Sequence, residues 1–121
     1  MHGAAQAYGK VARQIATPRE LEANLLLRAA AQLQTICNEW NQRQAELQEA
    51  LLFNRKLWSI LVTSVSGEDN PLPVAIRQNV TNLGLFVMKQ TVAATGAPHP
   101  DKVRSLININ RELAAGLLSK A

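Results

Sequence analysis

The chain holds one cysteine, Cys37, and two histidines, His2 and His99. A lone thiol cannot close an internal disulfide, so nothing marks a disulfide framework or an oxidising compartment. The two imidazoles share no helical spacing with each other or with the thiol, which excludes a zinc-type ligand cluster. Aromatic residues are 4% of the sequence. Proteins that stack bases need exposed aromatics interleaved with basic residues. Here Trp40, Phe53, Trp58 and Phe86 all have core duties open to them, and Tyr8 is the only tyrosine. Direct nucleic-acid binding is therefore disfavoured. No run approaches the roughly 18 apolar residues of a membrane span, and the first residues lack the apolar core of a secretory signal. A glycine-rich phosphate loop and a helix-borne metalloprotease pattern are also missing. Cytoplasmic residence, with no membrane and no cofactor, is the expectation.

Charge is modest too. Thirteen Lys and Arg stand against nine Asp and Glu, a net charge of +4. The densest basic spots, Arg55-Lys56 and the pair Lys102 and Arg104, form neither the stripe nor the tail of a nucleic-acid binder. Glu46 and Glu49 share a helix face, but nothing around them would desolvate one and raise its pKa. Cys37 lies on an apolar face beside Leu33, Ile36 and Trp40, without a base, and reads as a small buried hydrophobe. The chain does not read as an enzyme.

Alanine and leucine supply most of what is present. Hydrophobic residues are 47% of 121, enough for one core at 13.2 kDa. Residues 1–17 form an N-terminal arm, where Tyr8, Val11 and Ile15 recur at three and four as a short helix would require. Residues 18–121 form a single helical domain. Thr17-Pro18-Arg19-Glu20 is a capping box with proline at the first helical position. Leu21, Leu25, Arg28, Ala29, Leu33, Ile36, Cys37 and Trp40 then fall close to one face, widened by Leu26 and Leu27. A break is expected at Asn38 to Gln42, where Asn41 and Gln44 make a second capping pair, because an unbroken helix to Val65 would be about 70 Å long.

The next stripe is Leu47, Ala50, Leu51, Asn54, Leu57, Trp58, Leu61 and Val65, closed by Gly67 in a left-handed turn. Pro71 and Pro73 stiffen the following linker and bias Asn70 and Leu72 away from helix. Ile76, Val80, Leu83, Val87 and Thr91 mark a third stripe, flanked by Leu72, Phe86 and Val92. Gly84 inside it implies a close helix crossing. After Gly96-Ala97-Pro98-His99-Pro100 come Val103, Leu106, Ile107, Asn110, Leu113, Ala114 and Leu117, with Lys120 complementing the helix dipole. The fold expected is all-α: a compact antiparallel bundle of four main helices at 18–39, 42–65, 73–95 and 101–118, plus a short N-terminal helix if the arm is ordered. Either a monomer or a homodimer is compatible with the wide apolar face of the first helix.

Asn54 and Asn110 fall on apolar faces, where an amide must find partners to avoid a cost of several kcal/mol, so each fixes a helix register or bonds a loop carbonyl. Trp58 is open to two readings, core residue or interface anchor. Arg55 and Arg111 could ring an interface, since arginine is favoured there.

These same clusters resemble the flagellar biosynthesis regulator FlaF family of alphaproteobacteria. The matching stretches are Arg19-Glu20-Leu21-Glu22 with Leu25-Leu26-Leu27, Glu49-Ala50-Leu51 leading into Asn54-Arg55-Lys56-Leu57-Trp58, Asp69-Asn70-Pro71-Leu72-Pro73, and Ile109-Asn110-Arg111-Glu112-Leu113-Ala114-Ala115-Gly116-Leu117. The resemblance implies a non-enzymatic role in flagellin production and secretion, beside a second regulator, FlbT, that restrains flagellin translation. It further implies a flagellin-binding export chaperone, whose groove would cover the amphipathic terminal helices of flagellin. Side-chain type points to Trp58, Leu61, Phe86 and Met88 for that groove, with Arg55 and Arg111 at its rim. An RNA-binding regulator of flagellin mRNA, or an adaptor acting through FlbT or the export apparatus, are the alternatives.

Overall fold

Leucine and alanine at intervals of three and four fold into helices throughout the computed structural model, which describes residues 18–119. The arm with Tyr8, Val11 and Ile15, the Thr17 capping box and Lys120 lie outside the described residues. The order is α1 (Pro18–Asn38), a single turn α2 (Trp40–Arg43), a 3-10 turn (Gln44–Glu46), α3 (Leu47–Val65), α4 (Val74–Gly96) and α5 (Pro100–Leu118). No strand occurs among the described residues. The result is an all-α bundle of four main helices with successive members antiparallel.

The most extensive packing joins α1 to α5, followed by α3 to α4 and α1 to α3. Small residues explain the first pairing. Ala23, Ala29 and Ala30 of α1 and Ala114 of α5 are all buried, so the two backbones can approach closely and still enclose Leu26, Leu33, Leu106 and Ile107. The face of α1 is accordingly rotated from the one its leucines suggest. Leu21 is 53% exposed and Leu25 is exposed as well, while Ala23 and Leu26 are buried in their place. The buried sets of α3 and α5 coincide with the stripes read from the sequence.

The break after α1 is real, but its construction differs from a capping pair at Asn41 and Gln44. Glu39 occupies the N-cap of α2 without a side-chain capping bond, and Asn41 lies inside the turn. Arginine holds the corner instead. Arg43 Nε donates to Glu39, and its Nη1 donates to both Glu46 oxygens at 3.2 Å, clamping the turns before and after. The long helix therefore starts at Leu47, five residues later than expected from Gln42.

Gly67 is not left-handed; no described glycine has positive φ. Asn70 closes this end of α3. Its Nδ2 donates to the Ser64 carbonyl at 3.1 Å, and its Oδ1 accepts from the Leu72 amide at 3.0 Å, folding the linker so that Leu72 is buried. Pro73 takes the N-cap of α4, its carbonyl accepting from Ile76 and Arg77. At the head of α5, His99 Nδ1 accepts from the Asp101 amide at 3.1 Å, and Pro100 fills the first position.

Candidate partner-binding surface

Three side chains meet at the centre of the bundle. Trp58 Nε1 on α3 donates to Asn110 Oδ1 on α5, and Asn110 Nδ2 donates to Asn54 Oδ1 and to the Leu26 carbonyl of α1. Trp58, Asn54 and Asn110 are all fully buried. Their hydrogen bonds hold α1, α3 and α5 at one level.

That network corrects the groove composed from side-chain type. Trp58 faces the core because its indole N–H has its acceptor there, and Leu61, one turn on, is buried beside it. Neither is available to a partner in this conformation. Arg111 is exposed on α5 and its Nη2 donates to Gln34 on α1 at 3.4 Å, a surface apart from α4. Arg55 is exposed on α3. Phe86 is exposed on the flank of α4 shared with Gln90, whose Nε2 donates to the Lys102 carbonyl of α5. Met88 lies on the opposite flank. The six residues therefore do not converge.

What converges with Met88 is a different set. A groove of about 280 Å³ runs between α3 and α4, lined by Ser59, Val62 and Thr63 on one wall and Thr81, Gly84, Leu85 and Met88 on the other. Its floor is the close crossing that Gly84 permits. A Cβ added there would stand 2.5 Å from Val62 Cγ2 and 3.8 Å from Trp58 Cε3.

The physical reason for the groove is that α4 carries two stripes. Val80, Gly84, Val87, Thr91 and Ala94 repeat at four and three and are buried against the bundle. Val74, Gln78, Thr81, Leu85, Met88 and Val92 repeat at the same intervals on the outside. In that outer stripe Leu85 is 65% and Val92 72% exposed. A 4-3 repeat is the spacing by which one helix seats another, and among the described residues nothing occupies this one. The sequence carried the signal as apolar residues on both sides of a helix with almost no charge. Reading α4 as one stripe with Phe86 and Val92 as flanks missed Val62, Leu85 and the register of Val92.

The other polar features are structural. Burial pushes the Cys37 thiol up, against a smaller opposing effect of the Arg104 charge; its Sγ lies 3.9 Å from the Pro100 carbonyl. Desolvation likewise raises Glu22, with Arg19 opposing. No cluster of three or more His, Cys, Asp or Glu able to hold a metal occurs among the described residues, and no described helix is long and apolar enough to cross a membrane. A shallow cleft between α1 and α3 contains Arg28 stacked 6.0 Å from the Phe53 ring centroid, a contact that ties the two helices.

With this surface in view, comparison with known families is decisive. The profile of the flagellar protein FlaF matches residues 4–117. The chain belongs to the FlaF family. Neither a comparison with curated proteins nor one with solved structures gives a significant match. Membership carries a flagellar, non-enzymatic regulatory role. It agrees with a helical scaffold whose conspicuous surface is an apolar seam between two helices.

Proposed function

We propose that this FlaF-family chain is a cytoplasmic flagellin-binding chaperone that accompanies flagellin to export and thereby promotes its synthesis and filament assembly. The reading rests on one observation, the outer 4-3 stripe of α4 with its groove against α3, which no other described element covers. Flagellar filament subunits polymerise through amphipathic terminal helices, and such a helix needs its apolar side covered before assembly. A bundle with an apolar helix seat on its surface offers that cover. The groove uses Val62, Leu85 and Met88; Phe86, Arg55 and Arg111 lie outside it as further contact positions, and Trp58 and Leu61 support it from within.

The test is to purify the full chain, mix it separately with flagellin and with an FlbT-type regulator, and size each mixture with and without nuclease. A one-to-one complex with flagellin, unchanged by nuclease and lost when flagellin's terminal helices are removed, is the expected result. A shift with FlbT alone, or with the flagellin leader RNA alone and steeply weakened by salt, would replace the chaperone reading.

A further inference from the structure

The charges around the outer stripe of α4 specify what fits it. No carboxylate occurs between Glu49 and Glu68, or between Asp69 and Asp101. Most of α3 and all of α4 therefore carry only cations: Arg55, Lys56, Arg77 and Lys89. Lys56 stands three residues before Ser59 and seven before Thr63, on the helix stripe that forms one wall of the groove. Lys89 stands one turn beyond Leu85 on the other wall. Since α3 and α4 are antiparallel, both lysines lie beyond the same end of the groove, away from Glu68 and Asp69 in the linker. Both are exposed, and among the described residues neither has an ion-pair partner.

We propose that the α3–α4 groove docks an amphipathic helix from another protein, whose apolar stripe packs on Val62, Leu85, Met88 and Val92 and whose carboxylates meet Lys56 and Lys89. This deepens the chaperone reading and rests on its claim that the chain covers a partner's helix. Charge selects this occupant over the others. Residues 1–17 contain Lys10 and Arg13 and no carboxylate, so the chain's own beginning would add like charge to the seat. A second copy docked in parallel would bring Lys56 and Lys89 against their own copies; docked antiparallel it would set them against Glu68 and Asp69, and that arrangement shields the seat of the free chain, which the test below reads. A nucleic acid would satisfy the lysines, but Val62, Leu85 and Val92 offer it no stacking surface.

The site is tested on the full-length chain carrying Val92→Cys, labelled there with a polarity-sensitive dye while Cys37 stays buried. Two helical peptides of about 20 residues serve as probes, sharing a leucine stripe at 4-3 spacing and flanked by glutamates in one and lysines in the other. The free chain is expected to show a solvent-like dye, and the glutamate peptide to shift its emission. Affinity for the lysine peptide should be weaker by about ten-fold or more, and a Lys56→Glu, Lys89→Glu double variant should reverse the preference. Helicity and melting of that variant should match the parent, both lysines being exposed.

A dye already shielded before any probe is added would mean that the chain or a second copy fills the seat, and would overturn the proposal. Equal affinity for the two peptides would do the same, as would a stronger response to RNA or to anionic phosphatidylglycerol vesicles. The partner and the site fail separately. A chain that binds the glutamate peptide but not flagellin keeps the site and loses the partner. A flagellin complex that survives both Leu85→Asp and the lysine reversals keeps the partner and loses the site.

Discussion

Trp58 and Asn110 are hydrogen-bonded at 2.8 Å across the centre of the bundle, with both side chains fully out of solvent. The bond matters beyond its own strength because Asn110 spends its remaining hydrogens on Asn54 Oδ1 at 2.7 Å and on the Leu26 carbonyl at 3.3 Å. Replacing Asn110 with Ala would strand an indole N–H and an amide oxygen, remove the second bond to the Leu26 carbonyl, and leave a small void. A loss of about 3 kcal/mol or more is expected. Asn54→Ala should cost less, because the buried Asn54 Nδ2 has no acceptor and its removal relieves that penalty. Urea unfolding of the two single variants and the double variant checks the order, and the double should fall short of the sum. Equal losses at the two positions would contradict the assigned network.

Gly84 and Val62 give a second measurable relationship. An alanine methyl at position 84 would meet Val62 Cγ2 at 2.5 Å, and a β-branched valine in a helix has little freedom to turn aside. Alanine ordinarily gains about 1 kcal/mol over glycine inside a helix. Overpacking of this kind costs about 1–3 kcal/mol. Gly84→Ala is therefore expected to destabilise or break even rather than stabilise. Adding Val62→Ala should recover the gain of the alanine, which thermal unfolding of the pair would read. A Gly84→Ala variant more stable than the parent would mean that α3 and α4 are not in close contact there.

How far such features can be seen in advance depends on which side chains carry them. The eight buried positions of α3 and the seven of α5 were legible because long aliphatic residues occupy one side of each helix and polar ones the other. Helix α1 was not, because Leu25-Leu26-Leu27 gives no unique phase and the decision belongs to Ala23 and Ala30, whose small size suits a close crossing. The corner before α3 contains no glycine or proline to announce it; it is held by Arg43 reaching Glu39 and Glu46, a tertiary arrangement of side chains. Of the candidate surface, Met88 and the close crossing at Gly84 were legible. A tryptophan suits an interface and a core equally, and Trp58 belongs to the core because Asn110 supplies its acceptor. Leu85 and Val92 became meaningful once the inner stripe of α4 was seen to be complete without them.

Cys37 makes a prediction in pH. Burial raises its thiol pKa in the folded chain, so the native state holds this proton more tightly than the unfolded state does. The associated stability is complete below the ordinary thiol value of about 8.5 and is lost as pH rises through the higher folded value. Comparing the parent with Cys37→Ser between neutral and alkaline pH isolates the effect. The parent should lose stability more steeply above about pH 8.5. In the native chain the thiol should also react slowly with a disulfide reagent and speed up on unfolding. Rapid labelling of the folded protein would show the thiol to be open.

The phase of α1 can be tested by three neighbouring leucines of identical chemistry. Leu26 is fully buried against α5, whereas Leu21 and Leu25 are exposed. Leu26→Ala should therefore cost about 2–5 kcal/mol, the usual range for a leucine removed from a close-packed core. Leu21→Gln and Leu25→Gln should change stability by no more than about 0.5 kcal/mol, since neither vacates a cavity nor buries a polar group. A face built on the leucines alone requires the reverse order, with Leu21 and Leu25 costly. Denaturation midpoints of the three variants decide between a helix that packs by its largest side chains and one that packs by its alanines. The second is expected because Ala23, Ala29, Ala30 and Ala114 are all buried where α1 and α5 pack most extensively, and the Leu26 carbonyl is held by Asn110 of α5 in that orientation.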